Sequence, residues 1–356
     1  MQNVASLVLN AFLMSVVLVL LFRRAAPALG LIDLPDERKL HDGGVPAIGG
    51  IAMFGAFVTA SSLHGPIEGG VGALVLGSAI LVALGVVDDR FDLSPKIKLV
   101  GQFAAAGVFV FGADAVVRLD VLPGWGEASA FAVPFTLVFI VGTINAFNMI
   151  DGIDGLAGGA ASSALFWLAV LAVVAGRPEW PLLLLLLAGV LGFLVFNLRH
   201  RWLERAAVFM GDAGSMMLGG AVAFFVAALA GGPEPAASFP ALLWLCIVPI
   251  ADTISLAVRR MQDGRSPFSP DREHLHHLVL RTGFGPRETA TRIIATSFIL
   301  GGIGTAGALV GAPDAMMLLG LVLVLLGHTA FVLRIGRERR ASAGRFMGVR
   351  RKDRHA

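Results

Sequence analysis

The sequence predicts an all-α, polytopic membrane protein of about eleven transmembrane helices, with its N-terminus outside and its C-terminus cytoplasmic. Three observations carry that expectation. Hydrophobic residues make up 56% of the 356 and charged residues only 15%, against about 25% charged in a soluble domain. Apolar windows long enough to cross ~30 Å of hydrocarbon at ~1.5 Å per residue recur through the whole length. The Lys and Arg residues gather in every second gap between those windows.

The first window, near 4 to 22, has no positive region before it and is followed at once by Arg23 and Arg24, so it reads as an uncleaved anchor. Windows near 48 to 64, 70 to 87 and 98 to 112 follow, the middle one closing on GVVDDR at 85 to 90. The fifth, 131 to 147, is apolar throughout (FAVPFTLVFIVGTI, 131 to 144) and runs into NAFNMIDGIDGL at 145 to 156. Windows near 157 to 175 and 181 to 197 are separated by a short segment holding Arg177. The eighth, 214 to 230, is entered through FMGDAGS at 209 to 215. The ninth, 239 to 257, holds Cys246 and Asp252 and leads to Arg259 and Arg260; the last two lie near 290 to 310 and 315 to 333. No soluble domain of ordinary size remains. Residues 1–333 are expected to form one helical transmembrane catalytic domain, and 334–356 a basic cytoplasmic tail.

Threading the windows alternately places 26 of the 28 Lys and Arg on one side and only Arg118 and Arg177 on the other. The basic side is therefore cytoplasmic. The same threading brings DLPDERKLH (33 to 41), GVVDDR, the 145–156 stretch, FMGDAGS and GRSPFSPDREHLHH (264 to 277) to that face. Those motifs consist mostly of Asp, Asn, His and Gly, so their convergence is independent of the charges that fixed the topology. Nucleic acid is excluded as a partner, because the basic residues are spread over loops between spans.

The 145–156 stretch sets Asn145, Asn148, Asp151 and Asp154 at intervals of three against an apolar run. If helical, that spacing keeps all four on one side for about two turns. Carboxylates near hydrocarbon cost roughly 2.5 to 3.5 kcal/mol each on insertion scales, which calls for a function. Gly152 and Gly155, each following an Asp, allow close approach of a ligand or a positive φ. Asp88 and Asp89 are adjacent carboxylates, one of which is driven toward a raised pKa unless a cation intervenes, which suits a base or a metal site. Asp212, between small residues ahead of a span, offers an exposed carboxylate that with Asn148 supplies hard oxygen ligands. Magnesium uses one or two such ligands plus substrate phosphates, and the Cys and His spacing of a zinc site is missing. His274, His276 and His277 lie among Arg265 and Arg272, a setting that binds or protonates phosphate.

Some patterns carry nothing. GIGTAG (302 to 307) fits a dinucleotide pattern but sits inside an apolar span with no strand before it, where small residues let helices pack closely. His64, His200 and His328 fall in none of these motifs and read as carrying no function. Cys246, the single cysteine, excludes an internal disulfide and reads as packing. The motif set as a whole describes a polyanion handled at a membrane face, with phosphoryl chemistry between a soluble nucleotide compound and a lipid phosphate.

DLPDERKLH followed by PAIGG, then LGVVDD, NAFNMIDGIDGL, FMGDAGS and SPFSPDREHLHHL, resembles in content and order the polyprenyl-phosphate N-acetylhexosamine-1-phosphate transferases of glycosyltransferase family 4 type. The resemblance covers residues 33 to 278. It implies transfer of a sugar 1-phosphate from a UDP-sugar to a polyprenyl phosphate such as undecaprenyl phosphate, releasing UMP, with Mg2+ for which Mn2+ can substitute. It makes Asp88 and Asp89 the candidates for deprotonating the lipid phosphate, and Asp212 a magnesium ligand with Asn148 beside it. Asn145 is grouped with the substrate-binding residues, Asp151 and Asp154 would line the nucleotide site, and Phe209 would stack on uracil. Arg265, His274, His276 and His277 would hold the diphosphate and sugar, with Asp33, Lys39 and His41 bordering the pocket.

Leu275 interrupts what is a run of three histidines in the peptidoglycan-precursor branch. The resemblance is accordingly closer to the branch that uses UDP-N-acetylglucosamine to begin O-antigen, common-antigen or teichoic-acid type glycans in the bacterial inner membrane. Other UDP-N-acetylhexosamines and the muramoyl-pentapeptide nucleotide remain alternatives for the donor, and a homodimer is compatible with the sequence. The rival of another class is an ion-coupled transporter, for which Asp252 inside a span is the one supporting acid.

Overall fold

The computed structural model describes residues 3–33, 43–118, 129–262, 264–265 and 274–352, the last helix as backbone only beyond residue 335. The chain is built from α1 (Val4–Leu29), α2 (Gly49–His64), α3 (Gly69–Phe91), α4 (Pro95–Ala113), α5 (Ser129–Ile150), α6 (Leu156–Val174) and α7 (Trp180–Asn197). It continues with α8 (Gly211–Ala230), α9 (Phe239–Leu243), α10 (Ile247–Gln262), α11 (Leu275–Leu280), α12 (Pro286–Leu309) and α13 (Asp314–Lys352). A 3₁₀ turn at Trp244–Cys246 joins α9 to α10, so that Phe239–Gln262 form one span. The described residues contain two strands, β1 (Ile32–Asp33) and β2 (Val45–Pro46), which pair antiparallel.

Among the described residues ten helices are long and apolar enough to cross a membrane, and the protein is an all-α, multi-pass membrane protein. A helix stands at each of the eleven expected windows, but the one at 48 to 64, α2, has 16 residues and is about 24 Å long. Its start lies where α3 ends. The Gly49 and Gly50 N–H groups donate to the carbonyls of Phe209 and Met210 at 3.0 Å each, and Gly85, near the end of α3, packs on the neighbouring Ala213. Residues 65–68 then lead from the end of α2 to the start of α3. Four residues extend at most about 14 Å, so α2 and this linker together match the ~34 Å of the 23-residue α3.

The bundle is organised around α8, whose most apolar stretch is 94% buried, against 17% for α13 and 22% for α1. Helices α3, α5, α2 and α6 pack around it. Small residues permit this: Gly50 lies against the backbone of Ala213 and Gly214, and Gly85 against that of Asp212 and Ala213. The peripheral helices turn Leu, Val and Phe side chains outward, among them Leu13, Phe111, Ile299 and Leu323, as a lipid-facing surface requires. The GIGTAG glycines belong to this packing, Gly302 against Trp167 and Gly304 against Trp244. Cys246 is buried and free. Helix α13 runs unbroken across residue 334 as far as Lys352.

Candidate active site

The end of α3, the starts of α4 and α8, and the end of α5 meet at one end of the bundle. Asp88 and Asp89 sit in the last turn of α3 and face different partners, as neighbours about 100° apart on a helix must. The Asp88 carboxylate accepts from the Leu93 N–H (2.8 Å) and from Lys98 Nζ of α4 (2.7 Å). Lys98 Nζ lies 3.4 Å from Asp212 Oδ2, so one ammonium serves two carboxylates. Asp89 turns to the start of α8, accepting from the backbone N–H groups of Asp212 (2.9 Å) and Ala213 (3.4 Å). Those N–H groups belong to the first turn of a helix and have no partner within it, so a carboxylate there is stabilised.

Asn148 reaches the same place from α5. Its Nδ2 donates to Asp212 Oδ1 (2.9 Å) and to Ser215 Oγ (3.0 Å). The residue stands beside Asp212 as the sequence places it, with its amide nitrogen rather than its oxygen toward the carboxylate. One turn earlier, Asn145 pairs with Gln102 of α4, Nδ2 donating to Oε1 at 2.7 Å. The two amides share a helix face. Asp151 and Asp154 do not continue it, because α5 stops at Ile150 and Gly155 adopts φ +80°. The continuous helical face that the three-residue spacing allowed is therefore replaced by a turn, as Asp and Gly, poor helix formers, favour.

The turn divides the two acids. Asp151 is partly buried, and its carboxyl is pushed up to about 8, first by burial and then by the negative charges of Asp212, Asp89 and Asp154. Asp154 faces outward from that cluster: its Oδ2 accepts from Arg199 Nε (2.7 Å) and from the Ala206 N–H (3.0 Å). Asn197 ties the turn to the Phe209 segment, accepting from Gly155 N–H (2.8 Å) and donating to Val208 O (2.9 Å). Phe209 itself is extended beside Ala47, its N–H donating to Pro46 O (2.8 Å). Asp33 pairs with Val45 in the adjoining ribbon.

The histidines enter on α11. His274 Nδ1 lies 3.3 Å from Asp252 Oδ2 of α10, and Asp252 Oδ1 accepts the Leu275 N–H at 2.8 Å. This engagement accounts for the acid that pointed to transport. His276 is 1% exposed, and burial, with the neighbouring His277 and His274, pushes its imidazole down to about 3. Its ring occupies the space beside Gly152, where a Cβ would lie 2.1 Å from Nε2. His277 is tilted against it with ring centroids 4.3 Å apart. Arg265 is exposed beyond the end of α10, its N–H donating to Arg260 O at 2.8 Å. Lys39, His41 and Arg272 lie outside the described residues. His328, which falls in no motif, has a polar partner in the fold: its Nδ1 lies 2.8 Å from Ser255 Oγ.

Lys98, Gln102, Asn197 and Asp252 are thus members of the site's framework to which sequence reading assigned no role in it. Each is a polar side chain inside or at the end of an apolar window, and that is the signal by which they are found.

The donor set fits magnesium. Asp88 and Asp212 share the Lys98 ammonium, and Asp89 and Asp151 stand close to Asp212, so hard oxygen ligands are gathered in excess. Among the described residues no three His, Cys, Asp or Glu side chains form a ready-made metal cage. A cation that relies on one or two carboxylates and on substrate phosphates needs none.

A multi-pass membrane protein with carboxylates, one lysine and histidines converging at one end of its helices is of the class of integral-membrane transferases acting on anionic substrates. Residues 71–230 match the family described as glycosyl transferase family 4. The chain is 34% identical over 323 residues to the undecaprenyl-phosphate alpha-N-acetylglucosaminyl 1-phosphate transferase of Salmonella typhi, covering 89% of this chain and 87% of that one. It is 31% identical over 307 residues to the protein of the same name from Escherichia coli (strain K12), covering 85% and 83%. To the probable undecaprenyl-phosphate N-acetylglucosaminyl 1-phosphate transferase of Bacillus subtilis (strain 168) it is 32% identical over 304 residues, covering 81% and 82%. The chain belongs to glycosyl transferase family 4.

Proposed function

We propose that this protein transfers N-acetylglucosamine 1-phosphate from UDP-N-acetylglucosamine to undecaprenyl phosphate, releasing UMP, at the cytoplasmic face of a bacterial inner membrane. The names of its relatives support the reaction. The observation that carries it to this chain is the pairing of Asp88 and Asp212 on Lys98, with Asp89 on the first turn of the helix that carries Asp212. Product, UMP and acceptor are all anionic, so catalysis rests on neutralising and orienting phosphates.

Asp212 would hold magnesium together with the substrate phosphates; the metal supplies charge neutralisation. Asn148 and Asp89 keep Asp212 in place, one through its carboxylate and the other through its backbone N–H. Asp88 and Asp89 are the candidates for taking the proton of a lipid phosphate: Asp89 is the exposed one, while Asp88 is buried with one oxygen on the Leu93 N–H and the other on Lys98. Asp151 and Phe209 would border the nucleotide, and Arg265 with the α11 histidines would face the diphosphate and sugar, while Asp154, turned to Arg199, would hold the turn. Asp33 would stand at the rim, with Lys39 and His41 assigned there on the resemblance alone. Direct attack of the lipid phosphate is favoured, because it needs one base and one metal.

The test is an assay of the purified protein with UDP-N-acetylglucosamine, undecaprenyl phosphate and magnesium. UMP and undecaprenyl-diphospho-N-acetylglucosamine are the expected products, lost in excess chelator and in Asp212→Asn, with the muramoyl-pentapeptide nucleotide inactive. Turnover of the pentapeptide nucleotide alone would move the donor assignment to the other branch. Full activity of Asp212→Asn would remove that residue from the metal site.

A further inference from the structure

We propose that Asp252 is a positioning residue for this transfer: its buried carboxylate fixes α11, and through α11 the His276 ring, against the Asp151–Gly152 turn. The inference rests on the reaction proposed above.

Asp252 is 2% exposed inside a span, where an acid without partners is costly. Both of its oxygens are directed at α11, one to the Leu275 N–H (2.8 Å) and one to His274 Nδ1 (3.3 Å). Its own helix is anchored one turn on, where Ser255 Oγ lies 2.8 Å from both His328 Nδ1 and Thr329 Oγ1 of α13. The carboxylate therefore stands on a fixed base and grips the first turn of the histidine segment.

What it places is His276. Among the described residues neither ring nitrogen of His276 has a hydrogen-bond partner, although both are buried. An imidazole left in that state loses its hydration without compensation, so it does not settle there by its own preference. It is held from both sides. The His274 ring stacks on it with centroids 5.7 Å apart and planes 3° from parallel, while the open edge of Gly152 accommodates its Nε2. His276 is neutral in this setting and stands beside the turn that carries Asp151. Position, not charge, is what Asp252 contributes.

The experiment uses full-length protein in detergent, comparing wild type with Asp252→Asn. Turnover is measured with UDP-N-acetylglucosamine and undecaprenyl phosphate, and modification of each histidine by diethyl pyrocarbonate is followed by mass spectrometry. Asn can still accept the Leu275 N–H but offers no charge to His274, so the grip is weakened without emptying the site. The expected result is a fall in kcat of about tenfold or more with KM for the nucleotide within about threefold. His276 should become several times more reactive to the reagent, while His328 remains protected. His276 staying protected, all histidines becoming reactive together, or kcat within about twofold of wild type would each overturn the proposal.

If Asp252→Asn fails to accumulate, Gly152→Ala addresses the same ring from the opposite wall. It should unmask His276 and depress kcat in the same way, and a fully active Gly152→Ala overturns the proposal. Absence of UMP formation by the wild type with this donor would instead defeat the reading of the reaction, while the histidine labelling still reports on the position of α11.

Discussion

Lys98 is the residue on which the acid cluster depends, its ammonium standing between Asp88 and Asp212. From sequence it reads only as one more topogenic cation, because those partners stand 10 and 114 positions away. Asp88, Asp89 and Asp212 were legible, since a carboxylate at the end of an apolar window is conspicuous wherever it lands. Replacing Lys98 by Met should leave the two carboxylates facing each other unscreened and reduce turnover by at least about 100-fold. Arg at the same position should not restore it, because a planar fork cannot reproduce a point charge set between two acids. A Lys98→Met enzyme within tenfold of wild type would show that the ammonium is dispensable. Asp88→Asn and Asp89→Asn should differ as well: one loses turnover while still binding nucleotide, and the other weakens metal or lipid binding. His276 gives a pH-dependent counterpart. Its imidazole, ordinarily near 6.5, is pushed down to about 3 when folded, so the unfolded chain takes up a proton that the folded one refuses. The associated stability is fully present above pH 6.5 and is lost as the pH falls from there toward 3. His276→Leu should therefore gain in melting temperature relative to wild type as the pH is lowered from 8 to 5. A pH-independent difference would show that the ring is not buried in its neutral form.

At the scale of elements, the helices were legible because a long apolar run in lipid has no other way to satisfy its backbone. Their ends were less so. Asn145 to Asp154 keeps a helical spacing, yet α5 stops at Ile150, and the Gly152 N–H bonds back to Ile150 O at 2.8 Å. The reason is tertiary: Gly152 must admit the His276 ring and Gly155 the Leu198 side chain, contacts made by segments that arrive much later in the chain. The packing of α3 on α8 is equally invisible in sequence, although it sets the distance between Asp89 and Asp212. A Cβ on Gly85 would lie 2.2 Å from the backbone of Ala213, which cannot yield as a flexible side chain can. Gly85→Val is expected to cost about 1–3 kcal/mol through overpacking and to remove nearly all turnover by separating the two carboxylates. Normal activity with an unchanged melting temperature would mean that α3 and α8 are free to move apart without consequence.

For the whole molecule the parity of crossings matters most, because it decides whether the two ends of the chain share a side. Among the described residues ten helices have full crossing length, and α2 falls short of it. If α2 and its four-residue linker traverse the same thickness as α3, the number of crossings is odd and Asn3 lies opposite Gly264. If α2 enters and returns, the number is even and they lie together. The geometry favours the first arrangement, since the start of α2 is bonded to the segment that precedes α8 while its end leads directly into the start of α3. The charge distribution favours it independently: alternate threading of eleven crossings leaves only Arg118 and Arg177 on the outer side. With the buried Cys246 replaced by Ala, single cysteines at Asn3, Glu68 and Pro313 should react with an impermeant thiol reagent applied to intact cells, and ones at Gly264 and Gly344 only after lysis. Reaction of Glu68 and Pro313 without Asn3 would convert α2 into a re-entrant helix. The fully reversed pattern would put Asp88, Asp212 and the histidines on the outer face, out of reach of cytoplasmic nucleotide sugars, and the proposed reaction would fall with it.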